Sequence, residues 1–269
     1  MKNIKKGLFL AFIGAGFMAP VQAEEVHMIM CGGEIRAADQ VVISAFEAKN
    51  PGVTVNAEAL PWGTCQDKSM TLAAAGDPPG LSYMGSRTLK QLARNGLIVP
   101  ITISEDQQAM YQPGVLNTVT DSGEFWGFPH AFSTKALFIN CGLVEEAGLA
   151  CVGPKTWTGL YNMAKAINDN TSAAGIGITG KDFDNTMHQF LNYLYSNGGS
   201  VNDAATGEIT FNSPETIETL EFYGKLATVA QEGPMAYERS QLTQLYNDGQ
   251  IGMYINGPWG AGQHNANIA

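Results

Sequence analysis

Apolar and polar positions in the first part of the chain repeat one pattern. A short apolar-rich run, Glu25 to Met30, is followed by Ala37 to Lys49, where Ala38, Val41, Val42, Ala45 and Phe46 share one helical face and Asn50-Pro51-Gly52 supplies a stop. Val53 to Leu60 alternates Val53, Val55, Ala57 and Ala59, as a strand does, up to Pro61-Trp62-Gly63. Cys65 to Ala75 reads as a helix broken by Gly76-Asp77-Pro78-Pro79, Leu81 to Met84 as a third strand, and Arg87 to Asn95 as a helix closed by Gly96. This β-α-β-α-β order predicts a mainly parallel sheet, whose ligands gather at the carboxyl ends of strands. Glu34, Trp62, Gln66, Ser86 and Arg87 stand there.

Near the middle, the apolar run Ala136 to Ile139 is entered through Pro129 and a polar step, Ser133, Thr134, Lys135. A buried strand flanked by turn residues fits it. With α/β-like sequence on both sides, the run is expected to cross between two lobes, with a ligand cleft beside it; the alternative is a core strand of one larger domain. Beyond it, Lys155 to Ile167 reads as a helix capped by Thr156 or Thr158, Gly175 to Thr179 as a short strand, and His188 to Tyr195 as an amphipathic helix. Gly207 to Asn212 is extended, Ser213-Pro214-Glu215 starts another helix, and Gln241 to Asn247 precedes a strand at Ile251 to Ile255.

The start of the chain has a different purpose. Lys2, Lys5 and Lys6 precede an apolar run, Gly7 to Met18, and the small-residue end Val21-Gln22-Ala23, which together read as a signal peptide cleaved after Ala23. The run is too short to span a membrane. The expected organisation is therefore a signal peptide at 1–23, one α/β lobe at 24–131 and a second at 132–269, with the protein exported to the periplasm. The formal net charge is −10, and cleavage removes three further lysines, which argues against nucleic acid or an anionic membrane as partner.

Four cysteines in an exported chain suggest disulfides, with three pairings open. Cys141 and Cys151 would close a small loop; Cys31 and Cys65 can pair only if the strand ends before them are neighbours. Neither CxxC nor a nearby His pair supports a metal site, and no cofactor is expected. Gly175 to Gly180 matches GxGxxG, and Gly175 to Lys181 most of a phosphate loop, but Asp182 stands where magnesium needs Ser or Thr, and no helix directly follows. GxSxG and HExxH are absent, so hydrolase chemistry has no visible nucleophile or metal site.

The leader, KNPGV at Lys49 to Val53, Gly76 to Pro79, LARNGLIVP at Leu92 to Pro100, Phe128-Pro129 with Ile139-Asn140, EEAGLACVGPKTW at Glu145 to Trp157, Phe211 to Glu215 and above all INGPW at Ile255 to Trp259 follow one another in an order that resembles the bacterial solute-binding proteins of the maltose-binding type. The resemblance implies a type II periplasmic binding protein fold: two α/β lobes joined by a hinge, with the ligand cleft between. It implies a monomeric, non-catalytic binder that captures a carbohydrate by hinge closure and delivers it to the inner-membrane permease of an ABC importer. A polyol or glycerol phosphate is the alternative ligand, with Arg87 as anion partner. A secreted carbohydrate-active enzyme is the other class, and would use a carboxylate pair such as Glu34 with Asp184.

The resemblance also points to ligand-binding loops. Sugars need aromatic faces for C–H surfaces and carboxylates, amides or Arg for hydroxyls. Glu34 follows the first strand, Trp62 and Gln66 the second, and Ser86 and Arg87 the third, where the family pattern has an aromatic and an acid. Ser133 replaces an acidic contact at the crossing, with His130 as a substitute. In the second lobe Asp182, Asp184 and His188 flank one loop, and Trp259 in NGPW is the leading stacking candidate. Family members continue beyond this segment, so the chain is expected to be C-terminally truncated, with both lobes incomplete and the piece prone to aggregate.

Overall fold

A computed structural model describes residues 24–203 and 205–265. The leader read at 1–23 lies outside the described residues. The chain divides at Phe132/Ser133 into two compact units, each mixed α/β.

The first unit opens with β1 (Glu24–Cys31), α1 (Ala37–Lys49), β2 (Val53–Leu60), α2 (Trp62–Ala74), β3 (Leu81–Ser82) and α3 (Ser86–Arg94). The sheet order is β2-β1-β3, parallel throughout, with Cys31 opposite Leu60. The β-α-β-α-β expectation therefore holds. Short helices α4 (Glu105–Gln108) and α5 (Pro113–Val119) and a hairpin of β4 (Thr120–Asp121) and β5 (Glu124–Phe125) complete the unit; their apolar periodicity is too brief to read. Ile29, Cys31 and Cys65 form the buried centre, with Leu60, Trp62, Leu72 and Tyr83 packed around it.

Helix α1 has the expected bounds, but a different face is buried. Val41 and Val42 are 69% and 68% exposed, and Phe46 is exposed too; Asp39 and Ile43 are buried. Asp39 is drawn in because Arg36 bonds both its oxygens, at 2.8 and 3.1 Å, and Glu47, one turn beyond Ile43, accepts the Val55 N–H at 2.8 Å.

The second unit contains β6 (Ala136–Ile139), α6 (Cys141–Glu146), α7 (Trp157–Asn170), α8 (Asp184–Ser196), α9 (Pro214–Ala227), α10 (Arg239–Asn247), β7 (Met253–Asn256) and α11 (Gly260–Asn265). Thr156 caps α7, its hydroxyl accepting the Gly159 N–H at 3.0 Å, and Ser213 caps α9 at the Thr216 N–H. β6 pairs antiparallel with β7, Ala136 opposite Asn256 and Ile139 opposite Met253, and is half-buried rather than fully buried. The stretch from Ala174 to Gly177 runs through isolated parallel bridges to Ile251, Ala230 and Tyr254 in place of a continuous strand. A Cβ at Gly175 would overlap the Ala164 carbonyl, so the GxGxxG glycine serves close packing on α7. Val144, Ala164, Ile167, Ile176, Leu226 and Met253 fill the core, each contributing on the order of 1–3 kcal/mol by burial.

Both disulfides form, with Cα separations of 5.4 Å for Cys31–Cys65 and 5.2 Å for Cys141–Cys151. The first is possible because β1 and β2 are adjacent and α2 begins directly after β2. Its 34-residue separation gives it the larger chain-entropy contribution, roughly 3–4 kcal/mol.

Candidate functional site

In the first unit, chemistry-bearing side chains gather where β1, β2 and β3 end. Trp62, at the start of α2, meets Tyr83 edge-on at 5.6 Å between centroids, and Tyr83 meets His130 edge-on at 4.8 Å. Arg36 contacts His130 and bonds Asp39, whose Oδ1 lies 3.4 Å from His130 Nε2. The Arg36 hydrogen bond holds the Asp39 carboxyl below its usual range, and burial pushes the Tyr83 phenol up. Gln66 is buried behind this group; its Oε1 accepts the Gly85 N–H at 3.1 Å and the Thr88 hydroxyl at 2.7 Å, fixing the loop between β3 and α3.

In the second unit the β6–β7 pairing does the positioning. It sets Lys135, just before β6, near Asn256, the last residue of β7, and Trp259 follows in the turn before α11. Lys135 Nζ lies 4.5 Å and the Arg239 guanidinium carbon 5.0 Å from the Trp259 ring centroid. Trp259 remains 41% exposed. Arg239 donates from Nη1 to Asn256 Oδ1 at 3.0 Å, and Lys135 donates to Ser133 Oγ at 3.4 Å. Burial is the main cause that lowers both cations' pKa values, and for Lys135 the nearby Arg239 adds to it.

Lys135 and Arg239 also line a small open concavity together with Thr179, Asn185, His188, Gln189, Asn192 and Ile255. Its polar wall is rigid. Gln189 Oε1 accepts the Thr179 N–H at 2.7 Å and hydroxyl at 2.9 Å, and the Tyr223 hydroxyl lies 2.7 Å away. Asn185 donates to Glu238 Oε2 at 2.9 Å.

The sequence-derived candidates fall unevenly on this geometry. Trp62 and Gln66 stand together, with Gly85 against both. Ser86 and Arg87 are exposed at the start of α3, and Glu34 is exposed in the turn after β1. Ser133 is exposed and touches Lys135. Asp184 opens α8, His188 lies one turn along it at the concavity, and Asp182 is exposed before it. Trp259 is the ring between the two cations' contacts.

Tyr83, Arg36, Asn185, Gln189 and Arg239 were not among those candidates. Because β3 ends at Ser82, two residues before the expected bound, Tyr83 is its carboxyl-end residue, and an aromatic does stand at the third strand's end. Arg239 opens α10, where an isolated basic residue gives no periodic signal. Among the described residues no group of three or more His, Cys, Asp or Glu is placed to hold a metal ion, and no helix is long and apolar enough to cross a membrane.

A family profile described as bacterial extracellular solute-binding protein matches residues 32–268. A binding protein of Brucella abortus (strain 2308) is 26% identical over 268 residues, covering 96% of this chain and 64% of its own length. A solute-binding protein of an ABC transporter from Thermotoga lettingae, solved with α-D-tagatose, has a TM-score of 0.78 at 26% identity, covering 91% of this chain and 64% of that one. The maltose-bound MalE3 of T. maritima, at 24% identity and TM-score 0.74 over 88% of this chain and 62% of that one, shares the fold. The chain thus spans less than two thirds of the length of these relatives. Its α/β units are of the periplasmic binding protein type II class, and the chain belongs to the bacterial extracellular solute-binding proteins.

Proposed function

We propose that this protein is the substrate-binding component of an ABC importer, that its solute is a carbohydrate, and that it works in the periplasm as a monomer without catalysis. Export would use the leader read at residues 1–23, and delivery to the inner-membrane permease subunits the hinge closure implied by the family resemblance. The observation that carries the reading is the half-exposed Trp259 indole beside a small concavity edged by amide and cationic side chains. A sugar ring offers an apolar C–H face and a rim of hydroxyls; an indole takes the first, while amide, hydroxyl and cationic side chains take the second. The likeness to the T. lettingae protein solved with tagatose supports the same solute class.

In this reading Trp259 stacks on the solute, and Asp182, Asp184 and His188 supply hydroxyl partners from the second unit. From the first unit Trp62 offers a second aromatic face and Glu34, Ser86 and Arg87 polar partners, with Gln66 holding the loop behind them and Ser133 at the crossing. The test is calorimetric titration of the full-length mature protein with monosaccharides, disaccharides, polyols and glycerol phosphate, followed by chromatography of the bound solute. Saturable binding with the solute recovered unchanged is expected; released product would contradict a pure binder.

A further inference from the structure

Charge around Trp259 runs against the composition of the chain. Acidic residues outnumber basic ones 25 to 15 overall, yet Lys135 and Arg239 both lie over the same indole and line the same concavity. Among the described residues neither makes a salt bridge. The Lys135 ammonium reaches only the Ser133 hydroxyl, and Arg239 gives one N–H to the neutral Asn256 amide. The nearest acid in sequence, Glu238, accepts from Asn185 and from the first turn of α10; its charge acts on Arg239 through space without bonding it, and burial outweighs it. Two half-buried cations side by side repel each other and are partly desolvated, an arrangement that an anion entering the concavity relieves.

We infer that the solute is an acidic carbohydrate, its carboxylate or phosphate held by Lys135 and Arg239 while its ring lies on Trp259. This deepens the carbohydrate reading and rests on it. Arg239 has guanidinium N–H groups beyond the one given to Asn256, and the planar fork suits a carboxylate or phosphate; Lys135 adds a point charge. The concavity supplies the Asn185 and Asn192 amides for the ring hydroxyls, Gln189 being committed to Thr179 and Tyr223. The neutral sugar of the same stereochemistry leaves both cations without a bonded counter-charge and so binds more weakly.

The test is calorimetry on the full-length protein with matched pairs: galactose against galacturonate, glucose against glucuronate and glucose 1-phosphate, glycerol against glycerol 3-phosphate. At least one acid should bind about 30-fold or more tightly than its neutral partner, and the gap should narrow in high salt. The carboxylate and phosphate arms tell which anion is held. Arg239→Gln and Lys135→Met should each reduce the acid's advantage about tenfold, while Arg239→Lys, which keeps the charge, retains most of it. Neutral sugars binding as tightly as their acids, or an advantage intact in both charge-removing variants, overturns this inference and leaves the carbohydrate reading standing. Failure of every sugar to bind overturns both.

Discussion

Arg239 and Asn256 are joined by one hydrogen bond of 3.0 Å that ties the start of α10 to the end of β7 beside Trp259. Asn256 is fully buried and uses its whole amide: Oδ1 also accepts the Gly257 N–H at 2.8 Å, and Nδ2 donates to the Tyr254 hydroxyl at 2.6 Å. Side-chain polarity beside Trp259 is therefore structural.

Replacing Asn256 by Leu strands the Arg239 N–H and the Gly257 N–H, while the Tyr254 hydroxyl keeps Thr243 and His264. The expected loss is about 2–4 kcal/mol of stability, read from urea denaturation at constant m-value. A loss below about 0.5 kcal/mol would mean that this network adds nothing net.

Gly257 is required for space. A Cβ there would overlap the Trp259 ring, so Gly257→Ala should displace the indole more than it unfolds the unit. The expected signature is a shifted tryptophan emission and solute affinity lowered about tenfold, with stability changed by less than about 1.5 kcal/mol. Unchanged emission and affinity would show that the ring can move aside without consequence.

Two tyrosines in one aromatic cluster should respond oppositely to loss of their hydroxyls. Tyr193 is buried and its Oη has no hydrogen-bond partner among the described residues, whereas the Tyr223 hydroxyl lies 2.8 Å from the Thr179 carbonyl and 2.7 Å from Gln189 Oε1. Tyr193→Phe should be neutral or stabilising; Tyr223→Phe should cost about 1–2 kcal/mol and loosen the polar wall. Burial pushes the Tyr223 phenol up to about 12 and the Tyr193 phenol further still, so both should ionise after the exposed phenols in a spectrophotometric titration, and a Tyr223 that ionises with the exposed phenols would contradict its placement.

Acid should weaken the protein in two stages. His264 is buried, its Nε2 2.8 Å from the Tyr254 hydroxyl and its Nδ1 2.7 Å from Asn247 Oδ1, and burial lowers its pKa from 6.5. The folded form thus resists a proton that the unfolded chain accepts, and stability falls as pH drops below that value. Asp39 acts next: its carboxyl is lowered from 3.8 by Arg36, so the stability it confers is present above that value and lost as pH falls through the folded pKa. His264→Gln should flatten the first stage and Asp39→Asn the second, in denaturation curves between about pH 7 and 3. Variants with an unaltered acid limb would remove both groups from the account.

The backbone plan was largely legible in the sequence, because Asn50-Pro51-Gly52, Pro61, the Gly76 to Pro79 stretch and the Ser213-Pro214 cap punctuate it chemically. Which face of α1 is buried was not: the wider apolar stripe is exposed, and Asp39, bonded to Arg36, and Ile43 are buried instead. At the candidate site, Trp62 and Trp259 were visible from residue type and position beside turns. Lys135 and Arg239 meet only through tertiary packing, over the ring of Trp259, and nothing local in either segment announces the other. Tyr83 was hidden by a strand boundary misplaced by two residues.

The most direct measurement is a tryptophan-fluorescence titration of the full-length protein and its Trp259→Phe variant with the carbohydrate panel. The account predicts a saturable emission change at micromolar concentrations of one sugar class, with affinity falling at least about tenfold in the variant. Unchanged emission with every sugar, on protein shown by circular dichroism to be folded, would contradict carbohydrate binding at this site.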